Sequence, residues 1–189
     1  MVENASKMVL DEERIIEGCK VRDSRSQTLL YKEYAPMLFG MALRYTPRED
    51  DAKDVLQEAF LKVFDNIGQY EGKGSLRAWM TRIVINEALT LYQLRSKQVV
   101  ENYDDYEDGL MDRSVVQADT LTHEILLKFI QELPEGYRIV FNLSEIEGYS
   151  HTEIAKMMNC LPSTCRSQLA KAKIILRKRV EEFNKSEKQ

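Results

Sequence analysis

Apolar residues recur at α-helical spacing along most of this chain, and this periodicity constrains the fold more than any other feature. Glycine (8) and proline (4) are also scarce among the 189 residues, so few turns are available for a sandwich or a barrel. We therefore predict an all-α fold. The repeat is clearest between residues 52 and 67, where it places these side chains on one helix face: Ala52, Val55, Leu56, Ala59, Phe60, Val63 and Ile67.

Two further helices are predicted to join this one in an N-terminal bundle. The earlier helix ends at Thr46-Pro47, because proline cannot continue the helical hydrogen-bond ladder. The later helix follows a loop with three glycines, 68–75, and Ser75 suits its N-cap. We predict that it packs with the following residues facing inward: Leu76, Trp79, Met80, Ile83, Ala88 and Leu91.

Charge and periodicity both change after residue 98. Residues 99–125 carry eight acidic side chains and a single basic one, Arg113. A polar, acidic stretch with few aliphatic residues is typical of a linker. We therefore predict two small helical domains joined by a flexible acidic linker. The predicted boundaries are an N-terminal segment 1–25, a helical bundle 26–98, the linker 99–122, a second helical domain 123–182 and a tail 183–189.

In the second domain the apolar pattern predicts a helix over 136–146 with Ile146 facing inward, followed by a short helix, a tight turn and a long basic helix. Ser150 and Glu153 have capping-box spacing at the start of the short helix, and Pro162 suits the first position of the long one. This succession is typical of a helix-turn-helix, whose second helix enters the major groove of DNA. Residues 154–180 contain seven lysines or arginines and no acid, although the whole chain has a net charge of −4. Two packed helices with a solvated basic face remain the alternative at this point.

Two stretches of the chain resemble one protein family. Residues 133–180, with the runs LPEGYR and EGYSHTEIA, closely resemble region 4 of the extracytoplasmic-function sigma factors. Residues 31–97, notably DAKDVLQEAFLKVF and GSLRAWMTRIVINEAL, resemble region 2 of the same family. The resemblance implies a dissociable promoter-specificity subunit of bacterial RNA polymerase. Its expected partners are core RNA polymerase, promoter DNA and an anti-sigma factor, with no small-molecule substrate, cofactor or metal.

The helix-turn-helix pattern and the resemblance together predict three sets of contact residues. For the −35 element, bound as duplex, they are Ser150, His151, Thr152, Ser163, Thr164, Arg166, Ser167 and Lys171. For the non-template strand of the −10 element they are Tyr70, Lys73, Ser75, Arg77, Arg82, Asn86, Arg95 and Lys97. For the clamp of the polymerase they are Asp54, Gln57, Glu58 and Lys62.

The chain departs from the family pattern at two places. Arg82 and Ile83 stand where housekeeping relatives carry a pair of DNA-melting aromatics, which favours a narrow promoter repertoire. Asn159-Cys160-Leu161 replaces the usual Gly-Ile-Ser of the turn, so the −35 sequence cannot be taken from a relative. Asparagine tolerates the left-handed conformation that the turn requires, whereas leucine is a poor N-cap.

The sequence shows no set of catalytic residues, since it has no P-loop and too few histidines for a metal enzyme. We therefore expect a binding protein rather than an enzyme. One alternative is a stand-alone helix-turn-helix regulator that binds operators without polymerase, but residues 31–97 do not resemble a dimerisation or receiver domain. The other alternative, a structural helical adaptor, leaves the acid-free stretch 154–180 unexplained.

Cellular location is inferred from the cysteines and from the lack of apolar runs. No run approaches the ~18 residues of a membrane span, and the N-terminus lacks the pattern of a secretory signal. The three cysteines are odd in number and show no CxxC spacing, which favours reduced thiols in a cytoplasmic protein. Cys160 and Cys165 are expected to be small core residues, with a redox role as the alternative.

Overall fold

The computed structural model describes residues 12–96 and 122–186, and these two ranges contain eight α-helices and no β-strand. The all-α prediction is thereby confirmed. The predicted linker, 99–122, lies outside the described residues except for Thr122. The helices are α1 (12–20), α2 (Ser24–Tyr45), α3 (Glu49–Asn66), α4 (Leu76–Ser96), α5 (His123–Gln131), α6 (Glu135–Phe141), α7 (His151–Met158) and α8 (Pro162–Ser186).

The chain divides into two compact units. Within the described ranges, unit 1 consists of residues 12–42 and 50–88, and unit 2 consists of residues 43–49, 89–96 and 122–186. The short segment 43–49, which includes the end of α2, thus belongs to the same unit as the helix-turn-helix.

The core of unit 1 contains the whole apolar face predicted for residues 52–67, since all seven of its residues are at most 7 % exposed. Six of them lie on α3, and Ile67 begins the 3-10 turn that follows. The prediction for α4 is confirmed in part. Leu76, Met80 and Ala88 are buried, but Trp79, Ile83 and Leu91 are half-buried. Val84 and Ile85, which were not assigned to the core, are buried as well, and so is Leu89, the first α4 residue of unit 2. The buried face of α4 is therefore broader than counting the period indicated.

Helix α1 is an additional element of unit 1 that the sequence analysis did not include in the bundle. Its Ile16 and Cys19 are buried. At its start, the Glu12 carboxylate accepts a hydrogen bond of 2.6 Å from the hydroxyl of Tyr34 on α2. Burial, assisted by this carboxylate, raises the pKa of Tyr34, so its hydroxyl stays protonated and remains a donor.

Unit 2 is organised around a buried arginine. Arg138 on α6 is 2 % exposed and donates hydrogen bonds to the carbonyls of Tyr45 (3.2 Å), Gln131 (2.7 Å) and Leu133 (3.1 Å). Beside it, the amide of the buried Asn142 donates to the carbonyl of Arg44 at 2.8 Å. The last carbonyls of a helix have no partner within the helix. Arg138 and Asn142 therefore satisfy the free carbonyls at the ends of α2 and α5.

Helix α6 is shorter than predicted. The apolar pattern predicted one helix over 136–146 with Ile146 inward, but α6 ends at Phe141 and a π-helical turn, Asn142–Ile146, follows. A π turn accommodates more residues than an α turn and shifts the side chains that follow. Ile146 is consequently 42 % exposed, and its assignment to the core was wrong.

The start of α8 leads to a stability prediction. Because α8 begins at Pro162, Leu161 occupies the N-cap position, where its 68 % exposed side chain offers no hydrogen-bond acceptor. Leu161→Ser should stabilise the protein by about 1 kcal/mol. Leu161→Ala is the control, since it removes the exposed leucine without adding an acceptor. Urea unfolding followed by circular dichroism measures both, and equal midpoints for the two variants would contradict the capping argument.

Candidate nucleic-acid interface

The first helix of the helix-turn-helix, α7, begins with the predicted capping box. The Ser150 hydroxyl oxygen accepts from the Glu153 N–H at 3.3 Å, and the Glu153 carboxylate accepts from the Ser150 N–H at 2.8 Å and from its O–H at 2.6 Å. These hydrogen bonds lower the pKa of Glu153. The contribution of this capping box to stability is therefore complete above the ordinary pKa of glutamate. It is lost as the pH falls through the lowered pKa of Glu153.

The turn between α7 and α8 has the geometry that its asparagine predicted. Asn159 adopts the left-handed conformation, with φ 52° and ψ 50°, and closes the end of α7 through its N–H to Ala155. The inner faces of both helices are apolar. The buried residues of this pair are Ile154, Ala155, Met158, Cys165, Leu169 and Ala172.

The outer face of α8 carries the side chains predicted to contact the −35 element. Ser163, Arg166 and Ser167 are exposed, whereas Thr164 and Lys171 are half-buried. Ser167 donates a hydrogen bond of 3.0 Å to the Thr164 carbonyl. The face is therefore open to a ligand at the start of α8, where a helix that enters the major groove places its base contacts.

The predicted −35 residues of α7 differ in their availability. Thr152 is exposed. The Ser150 hydroxyl is engaged in the capping box, so it contributes first to the local structure. His151 is half-buried, and its Nε2 atom is buried with no hydrogen-bond partner among the described residues. Of the three, Thr152 is thus the residue whose side chain is most open to solvent.

Four of the basic residues of α8 fall into two groups. Lys173 forms an ion pair of 2.8 Å with Glu145, and Arg179 lies 3.6 Å from Glu132. Arg166 and Lys178 are exposed, and within the described ranges neither lies within 4 Å of a carboxylate. The second group therefore keeps its positive charge available for phosphate or for base edges.

Unit 1 has a second group of predicted contact residues at the loop between α3 and α4. The Tyr70 hydroxyl donates a hydrogen bond of 2.8 Å to the carbonyl of Gly74, and the centroid of the Tyr70 ring lies 5.7 Å from that of the Trp79 ring. Gly74 has φ 86°, a conformation that side chains other than glycine rarely adopt. Ser75 is the N-cap of α4 as predicted, and its hydroxyl accepts from the Ala78 N–H at 3.1 Å. The loop is thus held in a defined shape beside a half-buried aromatic pair.

Polar and charged side chains continue from this loop along α4. The predicted residues of this group that are exposed are Lys73, Ser75, Arg77, Arg82 and Asn86. Lys73 pairs with Glu71 at 2.5 Å, an exposed ion pair that contributes little to stability. Arg95 belongs to unit 2, where its guanidinium lies 3.6 Å from Glu135. Lys97 lies outside the described residues.

The side chains predicted to contact polymerase share one face of α3. Asp54, Gln57 and Glu58 are all exposed, on the side opposite the buried stripe. Lys62 is half-exposed, but its ammonium donates at 2.6 Å to the carboxylate of Glu87, which is 8 % exposed on α4. Lys62 therefore links α3 to α4 in addition to lying on this face.

A groove beside the loop was missed by the sequence analysis. Its volume is about 400 Å³, and α1 supplies one of its walls. The spacing of Ile16 and Cys19 by three residues was the signal that could have identified α1 as a packed helix. The groove is lined by Glu13, Ile16, Glu17, Lys20, Tyr70, Glu71 and Gly72.

The described residues offer neither a cluster of metal ligands nor a helix that could cross a membrane. No three side chains of the metal-ligating types come together there in a way that could hold a metal ion. In the same part of the chain, no helix is both long enough and apolar enough to cross a membrane.

Comparison with known proteins gives consistent matches. The sequence matches the family models for sigma-70 region 2 over residues 30–98 and for sigma-70 region 4 over residues 123–176. It is 30% identical over 173 residues to the RNA polymerase sigma-H factor of Pseudomonas aeruginosa, with 86% of this chain and 90% of the relative covered. It is 27% identical over 183 residues to the ECF RNA polymerase sigma-E factor of Haemophilus influenzae, with 91% and 96% covered.

A solved structure is also similar to this one. The sigma factor RpoE of Bartonella quintana, described in complex with the anti-sigma factor NepR, matches with a TM-score of 0.51 at 20% identity. The match covers 82% of this chain and 96% of that chain. At this level of identity the likeness concerns the fold.

Proposed function

The chain belongs to the extracytoplasmic-function sigma factors and is a non-enzymatic, polymerase-binding initiation factor, and we propose that it divides promoter recognition between the two surfaces described above. Unit 2 reads the −35 element with the outer face of α8. Unit 1 binds the −10 element with the loop before α4 and the exposed face of α4. We propose the predicted limits 26–98 and 123–182 for the two promoter-binding domains, although segment 43–49 lies in the same compact unit as the helix-turn-helix.

The observation that carries the proposal for unit 2 is the exposed basic face of α8 within a helix-turn-helix. Arg166 lies near the start of α8 and is exposed, and arginine can donate two hydrogen bonds to guanine in the major groove. Ser163 and Ser167 lie on the same face and suit base edges or phosphates. Lys178, farther along, suits phosphate, which fixes the position of a protein on the duplex without reading its sequence.

For unit 1, the shape of the loop supports capture of an unpaired base. Single-stranded nucleic acid is bound by basic grooves that carry aromatic side chains. Here Tyr70 and Trp79 form an aromatic pair, and Lys73 and Arg77 are exposed nearby in sequence. Arg82 and Asn86 extend the polar face along α4. We assign the non-template strand to this surface.

Three further assignments complete the proposal. The exposed face of α3, with Asp54, Gln57, Glu58 and Lys62, contacts the clamp of polymerase. The protein works in the cytoplasm, where its polymerase is found. An anti-sigma factor is a further partner, and the complex described for the Bartonella relative supports this assignment.

The test of this function is a mobility-shift titration of one mapped promoter fragment with the chain alone, core polymerase alone and both together. Free chain should bind the duplex weakly at physiological salt, because its net charge is −4 and unit 1 needs bases that intact duplex does not expose. With core polymerase, binding should tighten by about a hundredfold or more, since the second promoter contact becomes intramolecular.

A promoter fragment with a scrambled −35 element is the matched control, and its binding by the reconstituted enzyme should be weaker. Tight, sequence-specific binding by the chain alone would instead support the stand-alone regulator. Failure of the chain to associate with core polymerase would overturn the proposed function.

A further inference from the structure

Two thiols meet at the turn of the helix-turn-helix. The sulfur atoms of Cys160 and Cys165 are 3.4 Å apart. Cys165 lies in the core of the motif with no exposed surface, whereas Cys160 in the turn is half-buried. A disulfide bond is about 2.05 Å long. The two sulfur atoms therefore need to approach by about 1.4 Å to become bonded.

The two cysteines enclose the residues that begin the recognition helix. Between them lie Leu161, Pro162, Ser163 and Thr164, and Arg166 follows directly. In the reduced state the N–H of Cys165 donates at 3.2 Å to the carbonyl of Leu161, as in a regular first helical turn. A bond between the sulfur atoms would close this six-residue stretch into a small ring, and the approach of the two sulfurs would change the first turn of α8.

From this juxtaposition we propose that Cys160 and Cys165 form a reversible disulfide that weakens binding of the −35 duplex by α8. The effect on DNA rests on the function proposed above, whereas formation of the disulfide does not. A small hydroperoxide is the class of oxidant that we infer, because it can reach a half-buried thiol.

The chemistry proceeds in two balanced steps. The Cys160 sulfur attacks the hydroperoxide and breaks its O–O bond, which gives a Cys160 sulfenic acid and releases an alcohol, or water if the oxidant is hydrogen peroxide. The Cys165 sulfur then attacks the sulfenic sulfur, and hydroxide leaves with the Cys165 proton as water. Two thiols are thus oxidised to one disulfide, and the peroxide is reduced by two electrons. A dithiol reverses the reaction.

The surroundings of the two thiols set their order of reaction. Burial, followed by the hydrogen bond with Cys160, raises the pKa of Cys165 to about 12, so Cys165 stays protonated and unreactive towards oxidant. Cys160 is the more accessible of the two, because it is half-buried whereas Cys165 has no exposed surface. Cys160 accordingly reacts first. Cys165, whose sulfur lies 3.4 Å away, then attacks the sulfenic sulfur while its own proton leaves with the hydroxide as water.

The third cysteine provides a matched control. Cys19 lies in unit 1, is fully buried and has a pKa that is raised by burial. Among the described residues, Cys160 and Cys165 are the only two cysteines within hydrogen-bond distance of each other. Cys19→Ala should therefore oxidise as the wild type does, whereas Cys160→Ser should form no intramolecular disulfide.

The experiment treats the full-length chain with hydrogen peroxide, removes the oxidant with catalase, and divides the sample. One part is digested under non-reducing conditions for mass spectrometry. The other is reconstituted with core polymerase and assayed on a promoter that depends on its −35 element. We expect a Cys160–Cys165 linked peptide that is two hydrogen atoms lighter than the free thiols. Transcription should fall roughly tenfold, as for the loss of one base contact, and dithiothreitol should restore it.

The outcomes distinguish this inference from the proposed function. If the reduced chain directs transcription but oxidation yields no linked peptide, the disulfide is overturned while the function stands. If the linked peptide forms and transcription is unchanged, the regulatory role is overturned. If the reduced chain does not direct transcription, the proposed function fails, and the peptide map still decides whether the disulfide exists. Because the map uses wild-type protein, it does not depend on the folding of any variant.

Discussion

Replacing Arg138 by methionine should lower the free energy of unfolding of unit 2 by about 3–5 kcal/mol, the largest effect that we expect from a single substitution. Arg138 donates hydrogen bonds to three backbone carbonyls and is 2 % exposed, so no water can replace it without a structural change. Methionine fills a similar length of the core but donates nothing. The carbonyls of Tyr45, Gln131 and Leu133 would then be left without this donor.

Urea unfolding followed by circular dichroism measures the loss, and hydrogen exchange locates it. Amide protection should fall in α5 and α6. The single tryptophan, Trp79, lies in unit 1, so its fluorescence should report a smaller change. Arg179→Met is the control, because Arg179 is half-exposed and its ion pairs are worth at most about 1 kcal/mol. Equal losses for the two variants would show that the buried hydrogen bonds of Arg138 contribute no more than surface pairs.

Replacing Arg166 by alanine should weaken −35-dependent binding by about 1–3 kcal/mol, roughly five- to 150-fold, because arginine on the outer face of α8 can pair with a guanine. Folding should be unaffected, since the side chain is exposed. The measurement is a titration of the reconstituted polymerase on a set of promoters that differ by single base pairs in the −35 element. The variant should lose discrimination at one position of that element.

Lys178→Ala is the matched control for Arg166→Ala. Lys178 is also exposed on α8 but lies farther from its start, where phosphate contacts are expected. This variant should weaken binding to all promoters alike. It should also reduce by about one the slope of the logarithm of the binding constant against the logarithm of the salt concentration. If Arg166→Ala behaves in the same way as Lys178→Ala, then Arg166 binds phosphate and does not read a base.

The parts of the fold that local sequence determines were predictable. The buried stripe of α3 follows from the spacing of its apolar residues alone. The capping box of Ser150 and Glu153 and the left-handed Asn159 likewise depend on a few neighbouring residues. The exposed face of α8 was predictable for the same reason, because the buried residues of a regular helix determine which side remains outside.

The parts that depend on contacts between distant residues were not predictable. Nothing in the sequence near Arg138 indicates that its guanidinium binds carbonyls 93 positions away, at Tyr45. The ion pair of Lys62 with Glu87 joins α3 to α4. The apolar pattern of each helix alone does not show how far the two helices are shifted along each other, so it does not predict which charged residues pair. Ile146 was misplaced because the apolar pattern fits an α-helix, whereas the chain forms a π turn there. Tertiary packing decides such details.

The hydrogen bonds from Arg138 and Asn142 to segment 43–49 have a consequence for the evolution of such chains. The acceptors are the backbone carbonyls of Tyr45 and Arg44, and every residue type supplies a backbone carbonyl. Side chains at positions 44 and 45 can therefore change without loss of these acceptors. Residue covariation between related sequences would therefore not reveal this contact. A chimaera that combines residues 1–98 of one relative with the rest of another would keep the same backbone acceptors for Arg138 and Asn142.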